Sequence, residues 1–251
     1  MRRFPWSLVP ASFVVALAIA IGSQSSLAAE LPLKAPASAA AYNWSGFYVG
    51  GNFGYGWSAA NWTNVENSQG LGGFGDSVPP DSFNHHLSGV IGGGQIGFNY
   101  QRGAWVFGLE ALLAGSAIKG NHASTFGAAD DQFTARIDTL VLGTGRVGYA
   151  WDRLLAYGKA GVAAARIRAS VSDVVGPNIG SGSDAVWQYK PTWGLGLEYG
   201  ITPNVSLAVE YNYIRLGTRT YRLGNATGGY AWDIDIRNVN LLMMKLNYRF
   251  K

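Results

Sequence analysis

The stretch Phe47-Tyr48-Val49-Gly50-Gly51-Asn52-Phe53-Gly54-Tyr55-Gly56-Trp57 has a period of two. Successive side chains of a β-strand leave opposite faces, so Phe47, Val49, Phe53, Tyr55 and Trp57 share one face and Tyr48, Gly50, Asn52, Gly54 and Gly56 the other. Bulk lies on one side, polarity and glycine on the other. From Trp44 onward no helical period persists, and further segments follow the same rule.

The second segment, near Val90 to Tyr100, sets Ile96, Phe98 and Tyr100 against Gln95, Gly97 and Asn99. The third, Trp105 to Leu113, sets Trp105, Phe107, Leu109 and Leu113 against Glu110. Segment four (136 to 151) has Val141, Val147 and Tyr149 opposite Arg146, and segment five (154 to 169) has Ala156, Ala160, Val162 and Ala164 opposite Lys159. Segment six has Trp193, Leu195, Leu197 and Tyr199 opposite Glu198, and segment seven Val205, Leu207, Val209, Tyr211 and Tyr213 opposite Glu210. The last sets Leu242, Met244, Leu246, Tyr248 and Phe250 against Lys245, Asn247 and Arg249.

Short turns at Gln101-Arg102-Gly103, Asp152-Arg153 and Thr202-Pro203-Asn204 alternate with long connections over 59–87, 116–134, 171–185 and 216–234. Short turns on one rim and long loops on the other are the layout of outer-membrane barrels. The fold expected is therefore all-β, an eight-stranded antiparallel transmembrane β-barrel. Hydrocarbon offers backbone N–H and C=O groups no partner, so a sheet in lipid must close on itself. Charge decides which face is which: the polar faces carry too few charges for a solvated exterior, so they line the lumen. Aromatics crowd the short-turn rim at Tyr100, Trp105, Tyr149, Trp151, Tyr199, Tyr248 and Phe250, as an interfacial girdle does.

Composition agrees. The chain has 251 residues, 35 glycines, 13% aromatic residues and 14% charged residues. With no cysteine, disulfides and Cys-ligated metal sites are excluded. Arg2 and Arg3 supply two of the +4 net charges and the remainder is dispersed, which excludes a nucleic-acid partner. Those arginines, an apolar run from Leu8 to Ile21 and Ser26-Leu27-Ala28 read as a signal peptide over 1–28. Residues 29–42 read as a flexible periplasmic tail and 43–251 as the barrel domain, with the Gram-negative outer membrane as its place and the membrane lipids and lipopolysaccharide as its partners.

Asn43-Trp44-Ser45-Gly46-Phe47-Tyr48-Val49-Gly50-Gly51, after Glu30-Leu31-Pro32-Leu33-Lys34-Ala35-Pro36, resembles the start of small alphaproteobacterial outer-membrane surface proteins grouped as a porin family. Gly145-Arg146-Val147-Gly148-Tyr149 and Leu246-Asn247-Tyr248-Arg249-Phe250 resemble its later signatures. The resemblance implies an eight-stranded barrel, a role in envelope integrity or surface antigenicity and, in some relatives, hemin binding. It also implies the barrel-assembly machinery as a partner of the C-terminal strand. That family usually ends on the aromatic residue the machinery reads, whereas here Lys251 follows Phe250.

An eight-stranded barrel has room inside for interlocked side chains, so the lumen should be filled. Glu110, Glu198 and Glu210 are expected to pair there with Arg146, Lys159, Lys245 and Arg249. The function expected is a structural, surface-exposed barrel without catalytic residues, cofactor or metal, and the alternatives are a narrow passive channel and a hemin-binding surface protein. His85 and His86, with His122 also near an outer loop, are the candidate hemin ligands, because neutral imidazole ligates heme iron. A remote enzyme reading rests on His86 and Ser88, one strand face apart by two, as in lipid A deacylases. Gly92/Gly94/Gly97 and Gly143/Gly145/Gly148 match G-x-G-x-x-G, but strand alternation runs on where a dinucleotide loop needs a helix. The Asn43, Asn61, Asn204 and Asn225 sequons are incidental in a bacterial exported chain.

Overall fold

The computed structural model describes residues 42–65, 82–123, 131–173, 180–225 and 228–250. Its antiparallel strands are β1 (Gly46–Asn64), β2 (Ser82–Arg102), β3 (Trp105–Ala123), β4 (Asp131–Trp151), β5 (Leu154–Asp173), β6 (Gly180–Gly200), β7 (Val205–Ile214), β8 (Gly217–Asn225) and β9 (Gly228–Arg249). Neighbours pair in the order β1 to β7, then β9, and β9 pairs back onto β1, which closes the ring. Closure leaves no free edge in the part that meets lipid.

β7 and β8 pair with successive parts of β9: Val205↔Tyr248 to Ile214↔Val239, then Gly217↔Ile236 onward. They are one stave, interrupted at Arg215-Leu216, and Gly217 takes the positive φ of 83° that the interruption requires. The ring expected with eight strands thus has eight staves written in nine strands. The three short turns fall where the sequence places them, with Gly103 (φ 61°) and Asp152 (φ 51°) as their left-handed residues. Asp is among the few non-glycine types that tolerate this conformation.

Outward-facing residues of the lower part are large and apolar, among them Phe47, Phe53, Ile96, Leu109, Leu195 and Met244. On β4 the stretch from Val141 to Trp151, at about 3.3 Å per residue and a tilt of about 40°, rises about 25 Å, the height of a hydrocarbon band. Tyr100, Trp105, Tyr149, Trp151, Tyr199, Tyr248 and Phe250 all lie exposed at the short-turn end of this belt.

Above the belt the strands continue with the pattern inverted. Outward positions become polar, as at Asn84, His86, Lys119, Asn121, Arg136 and Arg168, while inward ones become apolar. Trp62, Leu87, Ile118, Phe133, Ile167, Trp232 and Ile234 belong to one buried cluster that fills this upper lumen. The long connections are therefore shorter than expected: β1 runs to Asn64, β2 begins at Ser82, β3 runs to Ala123 and β5 to Asp173. A search for large outward residues stops at the belt and assigns the rest to loops. Bulges between Ser58/Ala60, Gly115/Ile118 and Ile137/Thr139 lie near this level. On β4 the bulge moves the inward set from Phe133, Ala135 and Ile137 to Leu140, Leu142 and Thr144, so the sequence alternation breaks there.

Tyr42, the last residue of the expected tail, packs against the barrel. Tyr42 is buried, its N–H donates to Asp152 Oδ1 (2.9 Å) and its hydroxyl to the Thr202 carbonyl (3.0 Å). The expected signal peptide and the rest of the expected tail lie outside the described residues.

Candidate functional site

The lumen at belt height holds six charged side chains that are each at least nine-tenths buried. Glu110 (β3), Lys159 (β5), Glu210 (β7) and Lys245 (β9) form a closed square. Lys159 Nζ lies 3.0 Å from Glu110 Oε1 and 2.8 Å from Glu210 Oε1, and Lys245 Nζ lies 2.7 Å from Glu110 Oε1 and 2.8 Å from Glu210 Oε2. Arg146 (β4) pairs with Glu198 (β6) at 3.2 Å. Three cations face three carboxylates, so the set is neutral, which is what burial of charge demands.

Tyrosines complete the acceptor shells. Tyr48 donates to Glu110 Oε2 (2.9 Å) and Tyr157 to Glu210 Oε2 (2.8 Å). The Arg146 guanidinium lies between their rings, 4.8 and 5.0 Å from the two centroids, and its Nε donates to Asn99 Oδ1 at 2.9 Å. Ser206 and Asn247 both donate to Glu198 Oε1. Each tyrosine crosses a glycine of the next strand: a Cβ on Gly97 would collide with the Tyr48 ring, and one on Gly196 with the Tyr157 ring. The third glycine of the first G-x-G-x-x-G match thus makes room for a phenol and has no phosphate to cradle.

The structure brings six of the seven predicted lumen charges together and separates the seventh. Arg249 has no carboxylate among the described residues. It lies over Trp44 and Tyr42, 4.7 and 5.3 Å from their centroids, and Nη1 donates to the Asn43 carbonyl. Trp44 is itself fixed by Nε1 donating to Asp152 O at 3.0 Å. The N-terminal residues fill the short-turn mouth and supply π faces where the sequence suggests a carboxylate. Tyr48 and Tyr157 are the residues that charge counting overlooks, although both stand on the polar face between apolar neighbours.

His85 and His86 do not converge. His85 points into the upper lumen and is buried, while His86 points outward. The structure instead brings His85 near His122, with parallel rings 6.3 Å apart. Phe83 stacks on His122 at 4.3 Å, and Trp62, Phe133 and Trp232 complete an aromatic cluster at the mouth. Neither ring nitrogen of His85 has a hydrogen-bond partner. Burial first, then His122 and His86, push its pKa down from 6.5 to about 4, so it is neutral at pH 7. His86 and Ser88 do share the outward face, but their register partners on β1 are Ala59 and Trp57, and Ser88 faces Lys119 on β3. None of these is the carboxylate that a catalytic histidine needs as orienter.

Residues 14–250 match the sequence profile described as "Outer membrane protein beta-barrel domain". Among curated proteins, the chain is 27% identical over 226 residues to the 31 kDa outer-membrane immunogenic protein of Brucella melitensis, covering 83% of this chain and 88% of that one. It is 29% identical over 210 residues to the 22 kDa outer membrane protein of Rhizobium leguminosarum, covering 82% and 78%. Among solved structures, the outer membrane protease OmpT of Escherichia coli superposes with a TM-score of 0.50 at 13% identity, covering 82% of this chain and 97% of that one. At that identity the likeness concerns the fold. The closed ring, the apolar belt, the inward charges and the profile match agree: the chain belongs to the outer membrane protein β-barrel domain family and resides in the Gram-negative cell outer membrane.

Proposed function

We propose that this barrel is a closed surface scaffold: it anchors an outer storey of strands and loops above the membrane and contributes to envelope structure without conducting solutes. The observation that carries the reading is the lumen, plugged at three levels. Trp44 and Tyr42 occupy the short-turn mouth, the Glu110–Lys159–Glu210–Lys245 square the middle, and the apolar cluster around Trp62, Phe133 and Trp232 the top. An ion crossing this path would have to break paired charges and then enter an apolar layer. The relatives named as immunogenic proteins fit a surface-displayed role, and the exposed aromatics of the short-turn rim fit a girdle at the periplasmic interface.

The reading includes no catalytic step, and it gives the C-terminal strand, ending Tyr248-Arg249-Phe250, as the face offered to the barrel-assembly machinery. The decisive experiment is planar-bilayer recording on purified, heat-modifiable protein at 1 M salt. A silent bilayer is expected, and reproducible unitary conductance would overturn the closed scaffold in favour of a narrow passive channel.

A second reading has one observation behind it. His85, neutral and without hydrogen bonds, sits with His122 among flat aromatic faces, a setting suited to a planar iron porphyrin. Hemin titration followed at the Soret band tests it, and a shift that survives His85→Ala and His122→Ala together would remove these residues from it.

A further inference from the structure

The outer surface carries a row of cations that neither the plug nor the belt uses. Lys119 (β3) and Arg136 (β4) are direct cross-strand partners, as are Arg136 and Arg168 (β5). Arg166, two residues along β5, pairs with Thr139. All four alternate with buried lumen residues such as Ile118, Ile137 and Ile167, so they point outward. Like charges directly opposite each other on neighbouring strands destabilise a sheet, and here three stand in succession.

Asp138, in the β4 bulge, offsets only one of them. Its two oxygens take the Nε atoms of Arg136 and Arg168, at 2.5 and 3.5 Å. Both side chains remain about half exposed, at 50% and 46%. Lys119 and Arg166 have no carboxylate partner among the described residues.

The row's height is fixed by what lies beside and below it. Leu113, Val141 and Val162, the exposed top of the apolar belt, lie below it on the same three strands. On β6, Trp187 pairs with Arg166 and Tyr189 with Ala164, and both aromatics are exposed, as expected at a membrane interface. The short turns lie at the opposite rim, so this is the outer-leaflet boundary. The upper part of the belt is recessed on β1 to β4, where an open apolar groove of about 380 Å³ runs over Gly94, Ile96, Leu113 and Val141; a larger one, of about 750 Å³, lies lower and reaches Phe47 and Phe250 at the short-turn rim.

We infer that Lys119, Arg136, Arg166 and Arg168 form a binding site for the anionic headgroup of an outer-leaflet glycolipid, whose acyl chains lie against the apolar belt below. Guanidinium forks suit phosphate or carboxylate oxygens, and an anion there relieves the repulsion along the row. The apolar belt directly beneath, at Leu113, Val141 and Val162, distinguishes a lipid from a small soluble anion. The inference rests on the outer-membrane placement alone, so a conducting lumen would leave it standing.

The test is titration of the full chain, folded in neutral detergent, with diphosphoryl lipid A, read by native mass spectrometry at two salt concentrations. Saturable binding of one lipid is expected, weakened by salt. The variant Lys119→Gln/Arg136→Gln/Arg166→Gln/Arg168→Gln should bind at least about tenfold more weakly. Arg237→Gln, which removes an exposed cation of β9, should stay within about twofold. Heat modifiability reports whether each variant folds, and a comparison on the unaltered protein needs no variant: dephosphorylated lipid A should bind at least about tenfold more weakly than the diphosphoryl form. Equal binding by the fourfold variant, equal binding of dephosphorylated lipid A, or displacement of lipid A by an equal concentration of inorganic phosphate would each overturn the inference.

Discussion

Lys159 and Lys245 share the same two carboxylates: each ammonium reaches both Glu110 and Glu210, at 2.7 to 3.0 Å. No member of the square can leave without stranding a buried charge. Glu110→Gln should therefore destabilise the barrel by about 3–5 kcal/mol. Adding Lys245→Met restores neutrality and should recover part of that loss, giving a favourable coupling between the two sites. Urea unfolding in lipid vesicles, followed by tryptophan fluorescence, measures both; simple additivity of the two losses would contradict the shared arrangement.

Gly97 and Tyr48 make the second relationship open to test. A methyl at Gly97 has nowhere to go except into the phenol ring that donates to Glu110, or against the Leu109 carbonyl. Gly97→Ala should cost about 1–3 kcal/mol. On a Tyr48→Ala background the ring is absent and the added cost should shrink, since only the backbone contact remains. An unchanged cost on that background would place the strain at the carbonyl alone.

The contrast between the two storeys shows what the sequence could convey. At belt height every outward residue meets hydrocarbon, so the period-two signal is strong, and the inward charges Glu110, Arg146, Lys159, Glu198, Glu210 and Lys245 stand out against it. Above the belt the pattern inverts, with Asn61 and Thr63 outside and Ala60 and Trp62 inside, so no run of large outward residues marks the strand. Bulges such as that at Ile137/Thr139 also shift the parity. A segment like Gly120-Asn121-His122 then reads as a loop although it is strand. The setting of Arg249 is not legible for another reason: its partners, Trp44 and Tyr42, are contributed by a segment with no strand pattern, and aromatic faces leave no charge signature.

His85 sets the pH response of the upper storey. The folded protein holds its pKa at about 4, against 6.5 for the ordinary group. Between those values the unfolded or opened state binds more protons, so stability falls as pH drops from 6.5 to 4 and is unaffected by this group above that window. Limited proteolysis at pH 7, 5.5 and 4.5 should show progressively faster cleavage in the outer storey, and His85→Phe should flatten the trend. A dependence unchanged in that variant would assign it to other groups.

The interrupted stave predicts where the barrel opens most easily. Below Thr192↔Ile214, β6 and β7 are joined by a regular ladder. At the next step Pro191 has no N–H to donate, and its carbonyl accepts a bond of 3.4 Å from Arg215 N. Above it, no β6–β8 ladder forms among the described residues, and β8 is held by β9. Amides of β6 above Pro191 that face β8 should exchange with solvent faster than those of β6 that face β7, by orders of magnitude where the ladder is missing. Hydrogen exchange resolved to single amides in lipid nanodiscs reads this directly. Pro191→Ala supplies the missing donor and should slow exchange around Arg215 and Leu216 first, whereas uniform protection along β6 in the unaltered protein would mean that the seam is closed by contacts other than a ladder.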